Sequence, residues 1–232
     1  MKNSEFPRLC QLRDKLPKLP SNNAYNFDVQ DNAIKLKHFR DIEAELQGLD
    51  SRSWDQLKTD LVPLLTTRDP ERGWQALFDK LNEAKGYNYL LRIGCRDVEF
   101  VLRSSAKGQK TPDLQGNLGA TRVLCEVKTI NISGDEAAHR RNSSVRSVSL
   151  TLPLGFFNKL KCDLVTARNQ MDAYYPGADA KKLAYVVINY DDLLHEYAAD
   201  YSKQIDQFIA TKPVSDLEVF LEAKPAFYSA TA

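Results

Sequence analysis

Residues 122–130 form a β-rich run that sets two charged side chains, Glu126 and Lys128, among Val123, Cys125, Val127 and Ile130. Side chains alternate faces along a strand, so Glu126 and Lys128 project the same way while Val127 points into the opposite layer. A strand buried on both faces would carry apolar residues at these positions. A carboxylate and an ammonium there need a polar environment or each other. Pro112 and Asp113 lie on the preceding extended segment, with twelve residues between Asp113 and Glu126. A strand pair joined by a turn of this length brings Asp113 beside Glu126. Two converging carboxylates repel unless something positive lies between them. A hard divalent cation with oxygen ligands, Mg²⁺ or Mn²⁺, meets that need, and Lys128 can orient a water or stabilise developing charge.

The rest of the chain alternates helical and strand patterns. Residues 1–24 hold three prolines among polar residues and predict an irregular lead-in. Apolar positions spaced by three and four predict an amphipathic helix over 28–46. Asp50 and Ser51 predict the cap of a second helix through Leu65, which Pro63 kinks or stops. These make residues 1–66 a helical N-terminal extension to a domain spanning 67–232. In that domain Asp69, Pro70 and Glu71 predict a helix start, and Trp74, Leu77, Phe78 and Leu81 give its apolar stripe up to Gly86. Strands follow over 87–93 and 98–102, then a polar loop over 104–110. The extended piece carrying Asp113 leads into a turn at Gln115, Gly116, Asn117 and Gly119. After the strand at 122–130 comes a long polar insertion, 131–149. A helix over 156–174, an apolar strand over 183–189 and a helix over 193–209 follow. The tail from Pro213 adds a short strand or helix. From residue 69 the order is α-β-β-β-α-β, with a mixed central sheet flanked by helices.

Pro112-Asp113 followed by Glu126-Val127-Lys128 resembles the motif of the PD-(D/E)XK nucleases, whose restriction-endonuclease-like core has this same αβββαβ order. The likeness covers roughly residues 69–190. It implies a metal-dependent nuclease with Asp113 and Glu126 as ligands of Mg²⁺ or Mn²⁺ and Lys128 as the catalytic lysine. It places Glu83, on the helix before the strands, where many members carry a further metal-linked acid; a solvated helix residue explains Glu83 equally well. Gln170 and Tyr174 fit a Gln-hydrophobic-x-x-Tyr pattern that resembles the branch of RecB-type exonucleases. At four residues apart they share a helix face, suited to a phosphate or an ordered water network. DNA is the substrate the family favours over RNA. A sequence-specific restriction-type endonuclease is the alternative within the class, and cutting of both strands would call for a homodimer. A non-catalytic nucleic-acid-binding module of this fold and an interaction protein using the helical extension are the readings from other classes.

Charge and cysteine usage bound the partners. Net charge is +1, yet residues 101–170 hold eleven basic against five acidic side chains. Such a segment suits a phosphate-binding face, with Lys107, Lys110, Arg140, Arg141 and Arg146 as candidate contacts to nucleic acid. No apolar run reaches membrane-span length and no apolar leader opens the chain. Cys10, Cys95, Cys125 and Cys162 are scattered, which excludes a zinc knuckle and predicts reduced thiols in a cytoplasmic protein. The histidines His38, His139 and His195 have no metal spacing, and Asp191 and Asp192 suit a helix N-terminus. Neither a Walker motif nor a dinucleotide fingerprint is present.

Overall fold

The computed structural model describes residues 4–16, 24–28, 32–102, 110–131, 151–177, 179–190 and 198–225. Lys107, Arg140, Arg141, Arg146, His139, His195, Asp191 and Asp192 lie outside these described residues, as does most of the expected polar insertion. The chain divides by compactness into two units, with the division between Asn88 and Tyr89.

The first unit is helical. Its helices are α1 (Pro7–Arg13), α2 (Ala33–Gln47), α3 (Ser51–Leu61) and α4 (Gln75–Leu81), and α5 (Glu83–Arg92) begins in it. Helix α1 falls where an irregular lead-in is expected. Pro7 at its first turn is preorganised for a helix rather than opposed to one. Buried Leu9, Cys10 and Leu12 then give α1 an apolar face, and the Glu43 carboxylate accepts from the amides of Arg8 and Leu9 at 3.0 and 2.9 Å. The α3 cap is as expected: Asp50 accepts from the Ser53 amide at 2.7 Å. Pro63 ends the α-helical bonding, and Val62–Thr66 continues as a 3₁₀ turn. Asp69 does not cap a helix at Pro70. Its carboxylate accepts from the Glu71 and Arg72 amides, closing a tight turn that bridges Asp69 to Gly73, and α4 starts only at Gln75.

The second unit is α/β, built on a five-stranded open mixed sheet in the order β1-β2-β3-β4-β5. The strands are β1 (Arg96–Phe100), β2 (Leu114–Leu118), β3 (Thr121–Ile130), β4 (Lys181–Tyr190) and β5 (Glu218–Pro225). β1, β2 and β3 form an antiparallel meander. β4 and β5 are parallel additions, reached by crossovers through α6 (Leu154–Tyr174) and α7 (Ala198–Thr211). The order α-β-β-β-α-β therefore holds, but with different members. Residues 87–92, rich in aromatic and aliphatic side chains, are the end of α5 instead of a strand, and Gly94 at φ +91° provides the left-handed exit. Gln115, Gly116 and Asn117 are strand instead of turn. Gly116 serves close approach, since a Cβ there would lie 3.2 Å from Val98 Cγ2 and 3.3 Å from the Arg96 carbonyl. The turn falls at Gly119 and Ala120.

One sheet face carries Leu124, Ile130, Ala184, Val186 and Ile188 against Leu160, Leu164, Ala167 and Met171 of α6 and Ile205 of α7. Each such fully buried aliphatic side chain contributes roughly 1.5–3 kcal/mol. The opposite face holds Leu114, Val123, Cys125, Leu183, Tyr185 and Val187, all buried, with Tyr89, Tyr185 and Phe220 in mutual ring contact. All four cysteines are free thiols, and no described helix is long and apolar enough to cross a membrane. Replacing the α3 cap, Asp50→Ala, removes the bond to Ser53 and the 3.2 Å contact from the Tyr87 hydroxyl. Urea denaturation is expected to register a loss of about 1–2 kcal/mol.

Candidate active site

The β2–β3 register decides where the charged side chains meet. Leu114 pairs with Cys125 at the end of that ladder, and the next step sets Asp113 opposite Glu126. Opposed residues of an antiparallel pair share a face, with Cβ atoms about 4.5–5.5 Å apart. The Asp113 carboxylate turns in to accept from the Val127 amide at 2.8 Å. The side chain thus takes over where backbone pairing stops and fixes Asp113 against the strand that carries Glu126. Asp113, Glu126 and Lys128 converge on one face, that of α6.

Glu126 is 3% exposed and both of its oxygens are occupied. Oε1 takes the Lys128 ammonium at 2.6 Å and Oε2 takes the Gln170 amide at 2.9 Å. Gln170 Nε2 also donates to the carbonyl of Thr111, two residues before Asp113. One turn later on α6 the Tyr174 hydroxyl donates to Gln115 Oε1 at 3.3 Å, two residues after Asp113. The last turns of α6 therefore grip the Asp113 segment on both sides. Gln115 is itself held by Nε2 donation to Glu99 at 2.7 Å and by acceptance from Arg122 at 2.8 Å.

Burial, and next the negative charge of Asp113, push the Glu126 carboxyl up to about 7 against the opposing pull of Lys128 and Gln170. Cys125, buried behind the same strand, is likewise pushed up by burial and is no nucleophile. The site sets two carboxylates, Asp113 and Glu126, beside the Lys128 ammonium. Its two acids offer the hard oxygen donors that Mg²⁺ and Mn²⁺ select. Among the described residues no cluster of three or more His, Cys, Asp or Glu side chains is disposed to hold a metal ion.

Of the remaining expected residues, Glu83 and Tyr174 have partners of their own. Glu83 belongs to the first unit, where Lys80 bridges its carboxylate at 2.8 Å and that of Asp60 at 2.7 Å. Lys110 is exposed at the start of the segment leading to Asp113. Tyr174 reaches inward to Gln115. Sequence reasoning missed Glu99, Gln115 and Arg122. Gln115 was legible in principle, being two residues beyond Asp113 and so on its face, but only once β2 is recognised as a strand. Comparison with family models, with curated proteins and with solved structures finds no match for this chain.

The raised carboxyl has a consequence for stability. The folded state holds the Glu126 proton up to about pH 7, whereas the unfolded chain releases it near 4.5. Stability from this group is present below the lower value and is lost as pH rises through the upper one. Without divalent cation, Glu126→Gln is expected to be more stable than the parent above pH 7, on the order of 1–3 kcal/mol, with the gap closing towards pH 5. Thermal melts across that range check it; a gap independent of pH would refute the assignment.

Proposed function

We propose that this chain is a divalent-metal-dependent nuclease of the PD-(D/E)XK type, hydrolysing phosphodiester bonds, with DNA the favoured substrate over RNA. The observation that carries the reading is the convergence of Asp113, Glu126 and Lys128 at the end of the β2–β3 pair, with Gln170 bonded to Glu126. The αβββαβ order of α5, β1, β2, β3, α6 and β4 supports it. The helical first unit stands outside this chemistry.

Asp113 and Glu126 are the residues that would hold Mg²⁺ or Mn²⁺. Such an ion supplies charge neutralisation at the phosphate and a more acidic water. Gln170 fixes the plane of the Glu126 carboxylate by donating to Oε2, leaving Oε1 to exchange Lys128 for a ligand. The Lys128 ammonium then lies beside the reacting phosphate, where a preorganised positive charge stabilises the charge that builds in the transition state. Lys128 is half-buried, so this charge is only partly screened by water.

Incubation of the purified chain with linear, circular and single-stranded DNA in Mg²⁺, Mn²⁺ or EDTA tests the reading. Cleavage is expected with either metal and none in EDTA, and Asp113→Ala or Lys128→Ala is expected to lower the rate by about a hundredfold or more. Binding without cutting in every condition would instead establish a non-catalytic nucleic-acid-binding module. Circular substrate left intact while linear DNA is consumed would mark an exonuclease. Cation binding is also expected to be linked to protons, because Glu126 must be ionised to act as a ligand. Apparent Mn²⁺ affinity should climb as pH rises towards about 7 and level off above it, as followed by calorimetric titration.

A further inference from the structure

We infer that Arg122, seated over the ring of Tyr175, forms a second phosphate-binding subsite that holds the same nucleic-acid strand some nucleotides away from the Asp113–Glu126 centre. This rests on the nuclease reading for the strand's course, but not for the binding itself. Arg122 pairs with Asn117 across the β2–β3 ladder and has the strand parity of Leu124, Glu126 and Lys128, so it lies on the face of the candidate site.

Its guanidinium is fixed from two sides. Nη2 donates to Gln115 Oε1 at 2.8 Å, and the group lies 5.3 Å from the centre of the Tyr175 ring. Both partners are neutral. Among the described residues no carboxylate forms an ion pair with Arg122, a trait it shares with Arg92, Arg96, Lys110, Lys161 and Lys212 of the same unit, but of these only Arg122 is seated on the face of the candidate site and held by Gln115. The neighbouring acid, Glu99, bonds to the amide nitrogen of Gln115 instead. A half-buried arginine held in one orientation with its charge unneutralised retains a fork of N–H donors for a phosphate. The ring backs one plane of the guanidinium, and a base can stack on the other, a combination typical of single-strand grooves.

The spacing fits one strand engaging both points. Arg122 is four strand residues from Glu126, about 13 Å along β3 at ~3.3 Å per residue. At the ~3.4 Å rise of a stacked strand this is about four nucleotides, and fewer if the strand is stretched. Leu124, between the two points on β3, is buried beneath α6, so a strand engaging both passes over the neighbouring strands, where the same face is polar, with Asp113, Gln115 and Asn117 along β2 and Glu99 on β1. Glu99 opposes an anionic ligand, so its removal should help binding.

The test uses the full chain in EDTA, which separates binding from cleavage. Fluorescence anisotropy with a labelled oligothymidylate of about twelve nucleotides spans both points. Arg122→Gln is expected to weaken binding about tenfold and to make the salt dependence shallower by about 0.7, the value for one lost phosphate contact on a single strand. Arg122→Lys should recover only part of this, Tyr175→Leu should weaken binding without changing the salt slope, and Glu99→Gln should tighten it. An oligomer of about two nucleotides, too short to reach both points, should bind more weakly than the twelve-mer and still lose affinity in Arg122→Gln. Parent-like affinity and slope in Arg122→Gln and Arg122→Lys, both folded by circular dichroism, would overturn the subsite, as would a parent that binds no oligothymidylate. Arg122-dependent binding by a chain that never cuts in Mg²⁺ would sink the nuclease reading and leave the subsite standing. Cutting with unaltered KM in Arg122→Gln would do the reverse.

Discussion

The amide of Val127, donating to the carboxylate of Asp113 at 2.8 Å, marks the point where the β2–β3 ladder passes from backbone pairing to side-chain chemistry. Its partner is fixed by the register at Leu114 and Cys125, and that register is fixed by burial. A slip of one residue would turn Leu124 out of the α6 core and drive Glu126 into the layer of Tyr185 and Val187. The apolar core thereby holds the acidic pair together against its own repulsion. Burial first, and the nearby charge of Asp113 second, raise the Glu126 carboxyl to about 7.

Helix α6 completes the arrangement because one of its faces serves two purposes. Leu160, Leu164, Ala167 and Met171 dock it on the sheet, and Gln170 and Tyr174, beside the last of these, reach the strand segment around Asp113. Functional groups borne on a helix that is locked by packing are positioned more tightly than groups borne on loops. The same helix end presents Tyr175 under Arg122, so the candidate centre and the second phosphate point share one rigid support.

The sequence made some of this legible and hid the rest for identifiable reasons. Glu126 and Lys128 stood out because charged residues at period two on an otherwise apolar strand demand an explanation. The helix at 156–174 and the strand at 183–189 were legible from their apolar patterns, and α6 begins two residues earlier and β4 extends slightly at both ends. Residues 87–92 misled because aromatic and aliphatic residues suit a strand locally, while continuity with α5 and packing of Tyr89 on Tyr185 and Phe220 favour the helix. Gly116 misled because glycine signals a turn and a close strand crossing equally well. With β2 concealed, the alternation of Asp113, Gln115 and Asn117 was concealed too, and with it the link from Gln115 to Arg122 and Tyr174. Such links span three elements and leave no periodic imprint.

The order of strands carries a consequence for how the molecule is made. β1, β2 and β3 neighbour one another in sequence as in space, whereas β4 and β5 join only after long crossovers. Loop-closure entropy favours the local meander as the early nucleus and delays the parallel pairings. Asp113 and Glu126 are both in the meander, but Gln170 arrives with the first crossover helix. During folding the two acids therefore meet in a wet and unfinished setting, where solvent screens them. Their proximity is felt in full only when α6 closes and expels the water, so the docking of that helix depends on whether Glu126 is protonated.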